Sequence, residues 1–328
     1  MFKTAQGIAK SLLEAGLSMK IARSFAERAK PTIVIETEAV DREEEIPLGA
    51  TKIGGCPDLP EGAAWPLRPP YPNGATLRNE HLKAAEYSGS WMSDSERERS
   101  RRAQLHMADL VMQEAPLSFI AQIDLAEVSA AGPLDPDIPS EGRIYLFYDT
   151  KEQPWGFRPG DVAGTRLIYD TSPVENLVRQ MEPSDLSDER IPPLRCTFSW
   201  TLLPDVHSFE AVVDLDEEDH DALGDWSEST EAFAAHRIGG DPTQIQGDMD
   251  RQCVVVSHGL DLGHDSPEGA ADINVERERQ DWIFLFQIAS DDKNSMMWGD
   301  LGMLYLWITR KDLQALRFEN ARLIFQCH

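Results

Sequence analysis

The sequence spells Ile-Gly-Gly-x-Pro twice, at Ile53–Pro57 and at Ile238–Pro242. Each copy is followed, in the same order, by a Phe-x-x-Gln-Ile run (Phe119–Ile123, Phe284–Ile288). A Gly-x-(Ile/Leu)-Tyr-Leu-aromatic run then follows each (Gly142–Phe147, Gly302–Trp307). Only the intervening stretches differ in length, and loops are where insertions are tolerated. We read an internally duplicated unit, repeat 1 over 50–150 and repeat 2 over 236–310. A bridging insert at 151–235 and a C-terminal strand at 320–328 complete a domain over 32–328.

Each signature has a physical purpose. Gly54-Gly55 and Gly239-Gly240 let the backbone turn with positive φ or pass close to another segment, and Pro57 and Pro242 stop the turn from becoming a ladder. Gln122 and Gln287 lie inside otherwise apolar strands. A buried amide left unsatisfied costs ~1–3 kcal/mol, so each needs a fixed partner. Two readings stand: each glutamine pins a glycine turn, or both face one pocket and read a ligand.

Short β-branched and aromatic runs bounded by Gly, Pro and Asp predict strands over 32–38, 117–124, 142–149, 165–170, 195–203, 252–257, 282–289, 303–309 and 322–327. Helices are expected near 96–113, started by a Ser95/Glu98 capping box, and at Val174–Met181 and Leu313–Phe318. Helices do not alternate with the strands, so the fold class is α+β, mainly β, rather than a doubly wound sheet. Residues 1–31 predict an amphipathic helical hairpin, with Ile8 and Leu12 on one helix and Ile21, Ala22 and Phe25 on a second capped by Ser18. Its basic residues suit either packing on the acidic domain or lying on an anionic membrane. The block Asp214–Glu231 reads as a solvated, acid-rich helix start.

Lys plus Arg number 31 against 57 Asp plus Glu, a net charge of −26. That field disfavours nucleic acid and favours a basic protein or a small ligand as partner. The four cysteines (Cys56, Cys196, Cys253, Cys327) form no C-x-x-C pair, as expected of free thiols in a reducing compartment. No apolar run nears the roughly 20 residues of a membrane span, and residues 1–15 lack a secretory h-region. The expected location is the cytoplasm.

The order Ile53–Pro60 with Trp65-Pro66, then Phe119–Leu125, Arg237–Gln246, Trp282–Gln287 and Trp298–Tyr305 resembles the YwqG-like family of unknown function, over residues 47–328. The resemblance implies a mainly β, roll-like fold in a bacterial cytoplasmic protein. It implies no activity, cofactor or catalytic residue.

No phosphate-binding glycine loop, H-E-x-x-H, G-x-S-x-G or kinase signature is present. One metal-like set, His258, Asp261, His264 and Asp265, follows the strand expected at 252–257 and offers mixed N/O ligands. Cys56 beside its glycine turn is conceivable as a nucleophile, but Asp241 fills the matching place in the second turn, so a small buried hydrophobe fits better. Asp300 is expected to bond its own turn. Trp65 either covers the core or anchors an interface, and Gln246 belongs to the second glycine motif. Two functions follow: a binding or interaction module using the cleft between repeats or the acidic face, or a metal-assisted hydrolase near His258 and His264. The candidate clamp or ligand residues are Gly54, Gly55, Pro57, Trp65, Gln122, Gly239, Gly240, Pro242, Gln246, Gln287 and Asp300.

Overall fold

The computed structural model describes residues 1–87, 92–206, 215–229, 236–262 and 273–328. Its strands are β1 (Lys30–Ala39), β2 (Lys52–Ile53), β3 (Asp58–Pro60), β4 (Leu67–Arg68), β5 (Ala115–Pro116), β6 (Ser118–Asp124) and β7 (Arg143–Tyr148). They continue as β8 (Thr165–Asp170), β9 (Leu177–Arg179), β10 (Leu194–Leu203), β11 (His236–Ile238), β12 (Trp282–Ala289), β13 (Met303–Thr309) and β14 (Arg322–Gln326). Ten form one sheet in the order β14-β13-β12-β11-β1-β10-β2-β6-β7-β8, while β3 pairs with β9 and β4 with β5. Every pairing is antiparallel. The helices are α1 (Ala5–Glu14), α2 (Met19–Ala26), α3 (Gly74–Ala85), α4 (Asp94–Leu110), α5 (Leu125–Ala131), α6 (Glu217–Ser229), α7 (Met249–Ser257), α8 (Val275–Glu278) and α9 (Arg310–Gln314).

The sheet curls until its edges nearly meet. Strand alternation decides which side chains face inward. Ile144, Leu146 and Tyr148 of β7 share an inner core with Leu304, Leu306 and Ile308 of β13, while Tyr145 and Phe147, or Tyr305 and Trp307, pack on the outer face. On the β8 side, Tyr169 stacks on Phe318 at 5.0 Å. Along β14, the Phe325 amide donates to the Trp155 carbonyl at 3.1 Å, and the two rings lie 4.5 Å apart. Residues 154–157 thus form a strap from the end of β7 to the edge of β14. Gly156 is required there: its φ is +81°, and a Cβ would lie 2.2 Å from the Leu323 carbonyl.

The N-terminal helices start at side-chain caps, Thr4 for α1 and Ser18 for α2. Their apolar faces are spent within the chain. Ile8, Leu12, Ala22 and Phe25 bury against Leu223 and Trp226 of α6, and the Trp226 indole donates to Ser11 Oγ at 2.9 Å. The acidic block thus contributes a packing helix, α6, over its described residues.

Four local expectations are corrected. The run at 252–257 is helical, part of α7: Met249 and Cys253, one turn apart, bury against Phe284 of β12 and Ile324 of β14, so packing overrides the β propensity of three successive valines. Val174–Met181 is a short turn followed by β9, whose residues pair with Asp58–Pro60. The capping box is Ser93 with Glu96, one pair of positions earlier, and α4 ends at Leu110. The helix expected at 313–318 begins earlier, at Arg310, where Thr309 caps it, and ends at Gln314.

Candidate functional site

Cross-strand registry builds one row of side chains on the outer face at each end of the sheet. In the first, Lys52 pairs with Gln122 and Gln122 with Tyr145. In the second, Arg237 pairs with Gln287 and Gln287 with Tyr305. Each glutamine's own strand bulges two residues before it, β6 at Phe119/Ala121 and β12 at Phe284/Phe286. The first turn glycine then donates to the bulged residue: Gly54 to the Ile120 carbonyl at 2.7 Å, Gly239 to the Leu285 carbonyl at 2.8 Å.

The glutamines hold the residue that follows each Gly-Gly-x-Pro. Gln122 Oε1 accepts the Asp58 amide at 2.8 Å, and its Nε2 donates to Ala50 O at 2.7 Å and Asp58 Oδ2 at 2.9 Å. Gln287 Oε1 accepts the Thr243 amide at 2.9 Å, the same offset past Pro242. The Tyr145 hydroxyl donates to the Asp58 carbonyl at 2.7 Å, and the Tyr305 hydroxyl to the Thr243 carbonyl. Both glycine pairs have positive φ. A Cβ on Gly54 would lie 2.4 Å from the Pro192 carbonyl, and one on Gly240 2.1 Å from Thr32 Oγ1.

Around the first turn the row is embedded in buried charge. Lys52 Nζ donates to Glu43 Oε1 at 3.0 Å and Asp58 Oδ1 at 3.1 Å. Arg179 donates to Asp58 at 2.8 Å, and Arg190 to Glu43 at 2.5 Å. Burial pushes the Lys52 ammonium down, against the raising pull of Asp58 and Glu43. Burial also opposes ionisation of Asp58, but Arg179, Lys52 and the Gly49 amide outweigh it and hold the carboxyl below its ordinary value. Glu43 Oε1 takes the Cys56 amide at 2.7 Å. Burial and the Glu43 charge push the Cys56 thiol up to about 12, so it is the neutral small hydrophobe rather than a thiolate nucleophile. In the second row burial lowers the Arg237 guanidinium to about 10.

The remaining expected site residues are dispersed. Trp65 donates its indole to the Leu117 carbonyl at 2.8 Å and meets Phe147 edge-on, covering the outer core. The Gln246 amide donates to Gln326 Oε1 at 2.9 Å, so Gln326 is a further clamp that the sequence reading passed over. Asp300 receives the His328 amide on its carbonyl at 3.0 Å. His258 caps the end of α7 rather than a strand, and it bonds the exposed Glu278 at 2.7 Å. Asp261 lies 3.9 Å from Arg158; His264 and Asp265 lie outside the described residues. Among the described residues no three His, Cys, Asp or Glu side chains group as metal ligands, and no helix is long and apolar enough to cross a membrane.

One His–Asp pair looks catalytic at first sight. His236 Nε2 lies 3.2 Å from Asp291 Oδ2, which also accepts the Thr37 hydroxyl at 2.7 Å. The Ala289 amide, however, donates to His236 Nδ1 at 3.1 Å. That fixes Nε2 as the protonated nitrogen, occupies both nitrogens, and leaves this buried ring structural.

A cavity of ligand size lies elsewhere among the described residues. About 570 Å³ opens between α5 with the loop 132–140 and the end of α9; it is lined by Val128, Ser129, Leu134, Asp137, Leu313 and Leu316 among others. Leu134 abuts Gly239, so the cavity sits at the end of the sheet carrying the second glycine turn. There the loop after β6 meets the helix after β13. At the opposite end, the loop after β12 meets the last residue of β7 through Trp298 and Tyr148, and Asn294 of that loop reaches Pro192, which adjoins Gly54. That junction is filled, with Trp298 buried edge-on against Tyr148 at 5.9 Å. Sequence reasoning did not single out the cavity walls. The available signal was Pro133, Pro136 and Pro139 at every third position.

A model of the family described as a domain of unknown function, DUF1963, matches residues 51–327, and the chain belongs to that family. Comparison with curated proteins found no match.

Proposed function

We propose that this member of the DUF1963 family is a non-enzymatic binding module whose ligand seat is the cavity between residues 132–140 and α9. The reading starts from duplication. Two units related by β2-β6-β7-β8 and β11-β12-β13-β14, with matching bulges, glutamine bonds and tyrosine bonds, are supported by geometry as well as by the recurring signatures. Duplicated units have matching ends. The observation that carries the function is their difference: one junction is plugged by Trp298, and the other opens about 570 Å³, within the range of small-ligand sites. The polar groups around the glycine turns are consumed in internal bonds, which supports architecture rather than chemistry there. The finer likeness to YwqG-like proteins of the bacterial cytoplasm belongs to the same proposal.

The test is amide-resolved NMR of the full chain against a mixed set of small-molecule fragments. Saturable shifts should concentrate at residues 128–140 and 313–316 and vanish in Ser129→Trp, which fills the cavity. Shifts that map elsewhere, or survive Ser129→Trp in a folded protein, would overturn the reading.

A further inference from the structure

The walls of the cavity differ sharply in hydrogen-bonding character. From Leu125 to Gly142 there is no basic residue, and there are four carboxylates, on Glu127, Asp135, Asp137 and Glu141. Pro133, Pro136 and Pro139 have no N–H to offer. The amides of Asp137 and Ile138 are turned inward, onto Asp135 Oδ1 and the Asp135 carbonyl, each at 3.0 Å. This wall therefore presents acceptors and few donors.

The opposite wall orients the carboxylates without exhausting them. Arg310 reaches both Asp135 and Asp137, and Gln314 Nε2 lies 3.2 Å from each Asp137 oxygen. An ionised carboxylate has about four acceptor positions; Asp135 has three donor atoms placed on it and Asp137 two, the Gln314 amide being shared between both Asp137 oxygens. Charge at the mouth still favours a cation: two carboxylates face one guanidinium, in a chain of net charge −26. An anion would find its obvious partner, Arg310, already engaged.

The apolar share of the lining is Val128, Leu134, Ile138, Leu313 and Leu316. Leu316 is the telling member. It follows α9 with φ +55°, its amide on the Leu313 carbonyl at 3.0 Å and the Arg317 amide on Asp312 O at 2.9 Å. Glycine normally takes that left-handed position after a helix. Here a leucine occupies it, and its side chain is 46% exposed at the cavity rim.

We propose that the cavity takes a small primary alkylammonium, its stem against Leu134, Ile138, Leu313 and Leu316 and its head on the remaining acceptors of Asp135, Asp137 and the proline-rich loop. This rests on reading the cavity as the ligand seat. Leu316 is then the residue that sets specificity for an aliphatic stem.

The experiment uses the full chain, calorimetry and amide NMR, with 1-aminopentane and 1,5-diaminopentane as probes. Pentan-1-ol, pentanoate and N-acetyl-lysine methylamide are the controls. Both amines should shift the amides of 128–140 and 313–316 saturably, about tenfold more tightly than pentan-1-ol or pentanoate. Leu316→Gly should weaken the amines about fivefold while leaving the protein at least as heat-stable. Equal binding of pentan-1-ol or pentanoate at those amides would overturn the cationic ligand and leave the seat standing. Tighter binding of the lysine amide than of either amine would overturn the free small molecule in favour of a peptide side chain. Unchanged amine affinity in Leu316→Gly would overturn its role. No shift in the cavity from any probe, with the fragment set also silent there, would overturn the seat itself.

Discussion

Gln122 holds Asp58 by both ends, accepting its amide at 2.8 Å and donating to its carboxylate at 2.9 Å. Gln287 accepts the matching amide of Thr243, where no carboxylate follows. Replacing Gln122 by Leu strands a buried N–H and loosens the Asp58 charge, whereas Gln287→Leu strands the Thr243 N–H and releases the neutral Thr243 hydroxyl. Urea unfolding should show a loss of about 3 kcal/mol for the first and about 1–2 kcal/mol for the second. Equal losses would mean that the Asp58 carboxylate is held without Gln122.

Gly54 and Gly62 separate steric from conformational cost. Both have positive φ, but a Cβ on Gly54 meets the Pro192 carbonyl at 2.4 Å, while one on Gly62 meets nothing within 4 Å. Gly62→Ala should cost about 1 kcal/mol from backbone preference alone. Gly54→Ala should cost at least about 3 kcal/mol, because backbone has to move. Thermal unfolding of the two variants checks the order.

Leu316→Gly should stabilise the fold. The residue is in the left-handed region and nearly half exposed, so glycine relieves strain of about 1 kcal/mol and gives up little burial. A lower midpoint in urea would show that Leu316 is packed more than its exposure implies.

Acid stability should depend on Asp291. The hydrogen bond from His236, helped by Thr37 and opposed by burial, holds its carboxyl well below the ordinary value. A carboxyl depressed on folding contributes stability that is complete above its unfolded value, about 3.9, and is lost as pH falls through the folded one. Wild-type stability should therefore drop steadily below about pH 4, with a shallower slope in Asp291→Asn. Parallel slopes would sink the assignment.

The thiols should be quiet. Burial raises Cys56 and Cys196 each to about 12, and raises Cys253 as well. A thiol-specific disulfide reagent at pH 8 should label these three slowly in native protein and rapidly once it is unfolded. Fast native labelling of Cys56, read by peptide mapping, would contradict its burial.

How much of this was legible beforehand depended on how local the cause was. The positive φ of Gly54, Gly55, Gly239 and Gly240 was readable because only glycine takes it cheaply, α1 because Ile8 and Leu12 recur at helical spacing, and α2 because Ser18 precedes a helical stripe. Helix α7 was not, since three successive valines favour a strand until Met249 and Cys253 find Phe284. The partner of Gln122 could be demanded but not named, because Asp58 comes within reach only through the pairing of β2 with β6. The cavity was least visible of all. Its walls come from residues about 180 apart in the chain, Val128 and Leu313 among them, and no local pattern links them.

The Trp155–Phe157 strap has a consequence in time. It lies against β14, so a segment that directly follows β7 has to wait for β14 to be synthesised. Strand β1, at the sheet's centre, likewise stays unpaired until β10 and β11 emerge. At about 5–20 residues per second, the interval from β1 to β14 is roughly 15–60 s. A nascent chain of this kind spends that interval with open edges, and its yield in the cell is set by chaperone access as much as by final stability.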